Sequence, residues 1–179
     1  SSLTFLYDLI IRLTTREDAF KRFMIEEVAR DPGDRILDVG CGTGTLAIGL
    51  KASLPGSEVV GLDGDPDILD RARLKAARVP RTPLWEVGMS FQLPFESSSF
   101  AWVVSSLLFH HLSLVDKHRS LAEAWRVLRP GGTMLLADFG LARNLASRGA
   151  FLVVQLVDGF QNTQDNVEGV DITVPVYNF

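Results

Sequence analysis

The chain opens with apolar residues at helical spacing from Leu3 to Leu13. Thr15 then offers an N-cap, Glu17 and Asp18 suit the positive end of a helix dipole, and the pattern runs helically to about Arg30. Asp31-Pro32-Gly33-Asp34 breaks it. From there short apolar runs alternate with longer stretches of helical period. Arg35–Val39, Glu58–Leu62, Leu84–Val87, Phe100–Ser105 and Thr133–Asp138 have the length and composition of buried strands. Thr43–Ser53, Pro66–Arg78 and Val115–Leu128 have the helical period, with Asp65 capping the second and Glu123 and Arg126 on the third. Gly88–Phe95 reads as a loop and Arg129-Pro130-Gly131-Gly132 as a turn. Strands alternating with helices specify a parallel sheet with helices on both faces. Beyond Gly140 the signal thins. A helix is expected over Ser147–Phe160, and Gly169–Phe179 reads either as an edge strand or as a tail.

The pattern therefore describes one α/β domain over 1–179, divided into an N-terminal helical lid (1–32), a core (33–140) and a C-terminal helix and tail (141–179). With 46% hydrophobic and 22% charged residues, the chain has a globular composition. No apolar run approaches the roughly 20 residues that span a bilayer. The formal net charge of −4 argues against a general nucleic-acid binder. The basic series Arg71, Arg73, Lys75, Arg78 and Arg81 reads as a solvated helix face, with docking of an acidic partner as the alternative. A single cysteine, Cys41, excludes an internal disulfide framework and a cysteine-based metal cage, and a reducing cytoplasm is the expected setting.

The chemistry concentrates in Ile36-Leu37-Asp38-Val39-Gly40-Cys41-Gly42-Thr43-Gly44. A buried strand runs into alternating glycines and then a helix. Glycine serves where the backbone turns sharply and where a ligand comes too close for a Cβ. The dinucleotide fingerprint G-x-G-x-x-G would need a glycine where Thr45 stands. Asp38, just before the turn, also suits an ammonium or sulfonium ligand better than a pyrophosphate. NAD is disfavoured on both counts.

The turn closely resembles motif I of class I S-adenosylmethionine (SAM)-dependent methyltransferases. Four further segments match that family in order: Val59-Val60-Gly61-Leu62-Asp63, Gly88-Met89-Ser90-Phe91-Gln92-Leu93-Pro94-Phe95, Ser99-Phe100 with Val103-Val104-Ser105, and Arg126-Val127-Leu128-Arg129-Pro130-Gly131-Gly132. Leu93-Pro94-Phe95 and His110-His111-Leu112 are similar to the ubiquinone/menaquinone-methyltransferase-like (methyltransferase type 11) branch. The resemblance covers roughly Leu3 to Asp138. It implies a Rossmann-like, doubly wound, mostly parallel sheet. It also implies a closing C-terminal hairpin, part of which this chain is expected to lack.

By the same resemblance SAM is the cofactor. Asp38 would lie near its methionyl amino end, with the backbone of Gly40, Cys41 and Gly42 beside it. Asp63 would accept from the ribose hydroxyls, Gly64 and Ile68 would pack on adenine, Met89 and Ser90 would face the adenine edge, and Ser105 would sit beside the transfer point. Two positions depart from the family pattern: Met89 and Ala101 each stand where Asp is common. Cys41 reads as a small residue tolerated in the turn. No catalytic residue is fixed; His110 and His111 could accept a proton from a substrate nucleophile, or could cap and pack the following helix. Tyr7 could line the pocket or pack in the core. The function implied is methyl transfer to an unidentified small-molecule acceptor; the alternative is a non-catalytic SAM-binding partner or regulator. No metal is expected, and a homodimer is among the assemblies left open.

Overall fold

The computed structural model describes residues 17–138. The expected helices Leu3–Leu13 and Ser147–Phe160, the segment Gly169–Phe179, the closing hairpin and Tyr7 lie outside them. The order is α1 (Glu17–Arg30), β1 (Arg35–Val39), α2 (Thr45–Ser53), β2 (Glu58–Asp63), α3 (Pro66–Ala76), β3 (Leu84–Val87), β4 (Phe100–Ser106), a 3-10 turn (Phe109–His111), α4 (Leu114–Val127) and β5 (Leu128–Ala137). The strands form one sheet in the order β3-β2-β1-β4-β5, every neighbouring pair parallel. The doubly wound fold expected from the sequence is the one present.

A central parallel strand is covered on both faces, so it reads as a continuous apolar run. In β1, Ile36 joins Met24 and Val28 of α1 and Leu46, Ala47 and Leu50 of α2 on one face. Leu37 and Val39 face the other way, with Ala124 and Val127 of α4. The period-2 alternation continues across the sheet: Val59, Trp102 and Val104 share the first core, Val60 and Val103 the second. Ala72 of α3 packs against the start of α2, which puts α1, α2 and α3 on one face and α4 on the other.

Of the boundaries that differ from the sequence reading, two have a clear local reason. Helix α2 begins at Thr45 instead of Thr43, because Gly44 still has a left-handed φ of 74° and the helix cannot start before it. Strand β5 begins at Leu128, opposite Phe100, five positions before the expected Thr133. The Arg129–Gly132 turn is carried inside the strand as an irregularity, and pairing resumes at Thr133 opposite Trp102.

The predicted helix cap at Asp65 is present, and α4 carries a further one. Asp65 accepts from the Asp67 and Ile68 amides, with Pro66 in the first turn of α3. Ser113, which the sequence reading did not single out, caps α4 by accepting from the Asp116 amide.

Candidate functional site

The connections leave β1 and β4 toward opposite faces of the sheet, so a crevice opens between the carboxyl ends of these adjacent strands. The glycine-rich turn forms one wall. Gly40, Gly42 and Gly44 all have positive φ, at 70°, 54° and 74°, which L side chains rarely adopt. The Gly40 and Cys41 amides both donate to the Leu62 carbonyl, at 2.8 and 3.0 Å, and so tie the turn to β2.

The three glycines have different surroundings. A methyl group on Gly44 would lie 2.3 Å from Cη2 of Trp85. On Gly40 it would meet both Leu108 Cδ atoms at 2.8 Å. On Gly42 it would meet nothing within 4 Å among the described residues. The turn is thus packed from behind by Trp85, flanked by Leu108, and open at Gly42, where a ligand can approach the backbone.

Asp38 lies beneath this turn at 0% exposure. Among the described residues neither carboxyl oxygen has a hydrogen-bond partner. Burial raises its pKa from 3.8 to about 7; the Lys21 ammonium and the Ala47 amide offset only part of that penalty, and the Asp63 charge adds to it. Buried polar groups are almost always paired, and a carboxyl left unpaired beside the glycine turn is one that a cation could neutralise. The N-terminus of α2 next to it carries no side-chain cap, and its amides suit an anionic group. A zwitterionic amino-acid end fits this pair of charges.

Asp63 ends β2, half-buried. Its Oδ2 accepts from the Gly42 amide at 2.8 Å and its Oδ1 from the Asp65 amide at 3.0 Å. The carboxylate is therefore turned into the bend, held by one N–H on each oxygen, with acceptor capacity remaining. Gly64 follows, exposed, and Met89 lies over it: a methyl on Gly64 would sit 2.9 Å from the Met89 sulfur. Met89 is 51% exposed at the rim. Ile68, half-buried, stands one helical turn on.

The structure does not bring two expected side chains, those of Ser105 and Ser90, into the opening. Ser105 is fully buried and its hydroxyl donates to the Val39 carbonyl at 2.9 Å, stitching β4 to β1. The Ser90 hydroxyl is turned away, 2.8 Å from that of Ser120 on α4. Cys41 is buried, its thiol pKa pushed up by burial and by the Asp38 and Asp63 charges, as befits a packing residue and not a nucleophile.

At the exit of β4, Leu107 adopts a φ of 57°, unusual for a bulky residue, and its amide donates to the Ala137 carbonyl at 2.8 Å. This bend directs Leu108 onto Gly40 and starts the 3-10 turn. His110 is 3% exposed, with Nδ1 2.9 Å from Asp138 Oδ1. The other Asp138 oxygen accepts from the Phe109 amide at 2.6 Å and the His110 amide at 3.3 Å. His111 is exposed, its ring 3.9 Å from that of His110. Asp138, Trp85, Leu108 and Lys21 were not singled out from the sequence, since each acts through a neighbour that only the fold supplies.

The departure at Ala101 has a packing explanation. Its Cβ packs closely on Gly33, where a methyl would lie 2.0 Å from it, and the residue is buried. In the basic series, Arg73 pairs with Asp70 at 2.7 Å, Lys75 reaches the Thr45 hydroxyl at 2.6 Å and Arg81 the Pro55 carbonyl at 3.2 Å. These local contacts match a solvated face. Among the described residues no His/Cys/Asp/Glu cluster could hold a metal ion, and no helix is long and apolar enough to cross a membrane.

The methyltransferase domain family matches residues 36–132, more than half of the chain. The chain belongs to that family. Its relatives include a demethylmenaquinone methyltransferase of Deinococcus radiodurans, 37% identical over 74% of this chain and 55% of that protein. Among solved structures it is similar to a SAM-dependent methyltransferase of Methanosarcina mazei, with 26% identity, a TM-score of 0.58, and coverage of 70% of this chain and 62% of that one. A putative methyltransferase of Bacillus halodurans is 27% identical with a TM-score of 0.61, covering 78% of this chain and 60% of that one. SAM is the methyl donor that this membership implies. The chain spans little more than half the length of the curated relatives it matches, 55% of the first.

Proposed function

We propose that this domain binds SAM in the crevice at the carboxyl ends of β1, β2 and β4 and transfers its methyl group to a small-molecule acceptor. The observation that supports this best is the closure of Asp63 onto the Gly42 amide at 2.8 Å, with open space over the same glycine. Strand-end acid and glycine turn thereby form one continuous wall.

SAM supplies a methyl group already activated by its positive sulfur. The chain's residues bind, orient and exclude water. Asp38 provides the negative charge for the methionyl ammonium, and the α2 N-terminus suits the carboxylate. Asp63, already oriented by two amides, accepts from the ribose hydroxyls. Gly64, Ile68 and Met89 form the slot for the base, the Met89 thioether packing on a ring where it cannot accept a strong hydrogen bond. Holding donor and acceptor in line contributes about 7–11 kcal/mol toward the barrier.

Where the acceptor must lose a proton, His110 is the base. Asp138 holds the proton at Nδ1, which makes Nε2 the basic nitrogen and fixes the ring. An acceptor already ionised at oxygen or carbon needs no base. The demethylmenaquinone methyltransferase relative suggests a quinol-type ring as the first acceptor to try.

Methyl transfer from labelled SAM to a metabolite extract, with demethylmenaquinol assayed separately, tests the reading. Labelled product is expected. Binding without turnover on either would favour the non-catalytic alternative, and failure of both SAM and S-adenosylhomocysteine (SAH) to bind would remove the assignment.

A further inference from the structure

The loop Gly88–Phe95 that carries Met89 is fastened to one face of α4 by residues at spacings of three: Ser120, Glu123 and Arg126. Ser120 meets the Ser90 hydroxyl at 2.8 Å. Glu123 Oε2 accepts from the Leu93 amide at 2.8 Å. Arg126 donates to the Leu93 carbonyl at 3.0 Å and the Phe95 carbonyl at 2.8 Å, and forks onto Glu123 at 2.7 and 2.8 Å. A single ion pair thus grips both the N–H and the C=O of Leu93. The pairing lowers the Glu123 pKa and raises that of Arg126, each chiefly through their mutual hydrogen bond.

Packing alone already anchors the far end of this loop, since Leu93 is buried in the α4-side core and Phe95 stacks edge-on against Phe100 at 5.0 Å. The near end is tied to β2 through the Gly88 amide, which donates to the Asp63 carbonyl at 3.0 Å; Met89 beyond it is mostly exposed, and its sulfur closes on Gly64. Beyond that bond, the polar clamp fixes the course of the loop at Ser90, Leu93 and Phe95, on the far side of Met89. Charge-assisted, forked hydrogen bonds fix direction as well as distance.

We propose that Ser120, Glu123 and Arg126 are positioning residues that set the width of the slot between Met89 and Gly64, and with it the affinity for the nucleoside end of the ligand. This rests on the function proposed above. The clamp acts through the loop and touches neither ligand nor acceptor. Arg129 provides the comparison: it pairs with Asp34 at 2.7 Å at the amino end of the sheet.

Calorimetric titration with SAH, well below each variant's unfolding midpoint, tests the inference. Glu123→Gln and Arg126→Lys are expected to weaken binding about five- to twentyfold, while Arg129→Gln stays within about twofold. Arg126→Lys keeps the charge but loses the fork, so the effect reads geometry. Should either clamp variant not fold, Ser120→Ala removes only the Ser90 contact and is expected to weaken binding about two- to fivefold. Clamp variants that bind SAH like the wild type, whatever their melting temperatures, overturn the inference and leave the proposed function standing. Wild-type protein that fails to bind SAH overturns both.

Discussion

The Asp63 carboxylate accepts the Gly42 amide at 2.8 Å although 21 positions separate the two residues. This single bond makes the end of β2 and the glycine turn one surface. It also orients the carboxylate before any ligand arrives, so little is lost in ordering it on binding. Asp63→Ala is expected to weaken SAM binding about ten- to a hundredfold, the scale of hydrogen bonds to a charged group. Calorimetry checks this, and unchanged affinity would take Asp63 out of the site.

Gly42 and Gly44 separate binding from folding. Both have positive φ, so alanine at either costs about 1–2 kcal/mol in backbone strain. At Gly44 the new methyl also meets Trp85, whereas at Gly42 it points into open space. Gly42→Ala is expected to fold and to lose SAM affinity; Gly44→Ala is expected to show the larger fall in melting temperature. Equal melting temperatures for the two variants would contradict the packing described.

Asp38 gives the stability a pH signature. Its folded pKa of about 7 lies above the ordinary 3.8, so between those values the folded state binds more protons than the unfolded. This group therefore makes the protein less stable as pH rises from about 4 to about 7, with no further change above. Asp38→Asn should melt higher than the wild type near pH 8 and close to it near pH 5. Because a cationic ligand favours the ionised carboxyl, SAM binding near pH 6.5 should release a proton, seen as a buffer-dependent binding enthalpy. Wild type and Asp38→Asn with the same pH dependence would sink this account.

His110 and Asp138 divide base from positioner. With an acceptor that must lose a proton, His110→Gln is expected to lower kcat by about 10²–10⁴ and leave SAM affinity unchanged. Asp138→Asn should lower kcat too, because an amide no longer favours the proton on Nδ1. Rates unaffected by either substitution would confine the pair to capping the 3-10 turn.

The fold was legible because β1, β2 and β4 are buried on both faces and read as unbroken apolar runs, punctuated by Pro66 and Gly131-Gly132. Asp38, Gly42 and Asp63 were legible because a glycine turn and a strand-end acid lie at informative spacing. What stayed hidden depends on side-chain direction. Nothing local distinguishes a Ser90 that faces a ligand from one that faces Ser120, or a Ser105 that lines a crevice from one that ties two strands. Asp138 was read only as the end of a strand, since its partner lies 28 positions away. The left-handed Leu107 has no composition signal at all, because leucine ordinarily avoids that conformation.

A crystal structure with bound SAH tests the central claim most directly. The expected result is a nucleoside whose ribose hydroxyls bond Asp63, whose amino-acid end passes over Gly42 toward Asp38, and whose base lies between Gly64 and Met89. SAH bound elsewhere, or an Asp63 carboxylate that keeps only its two amides and turns from the sugar, would contradict it.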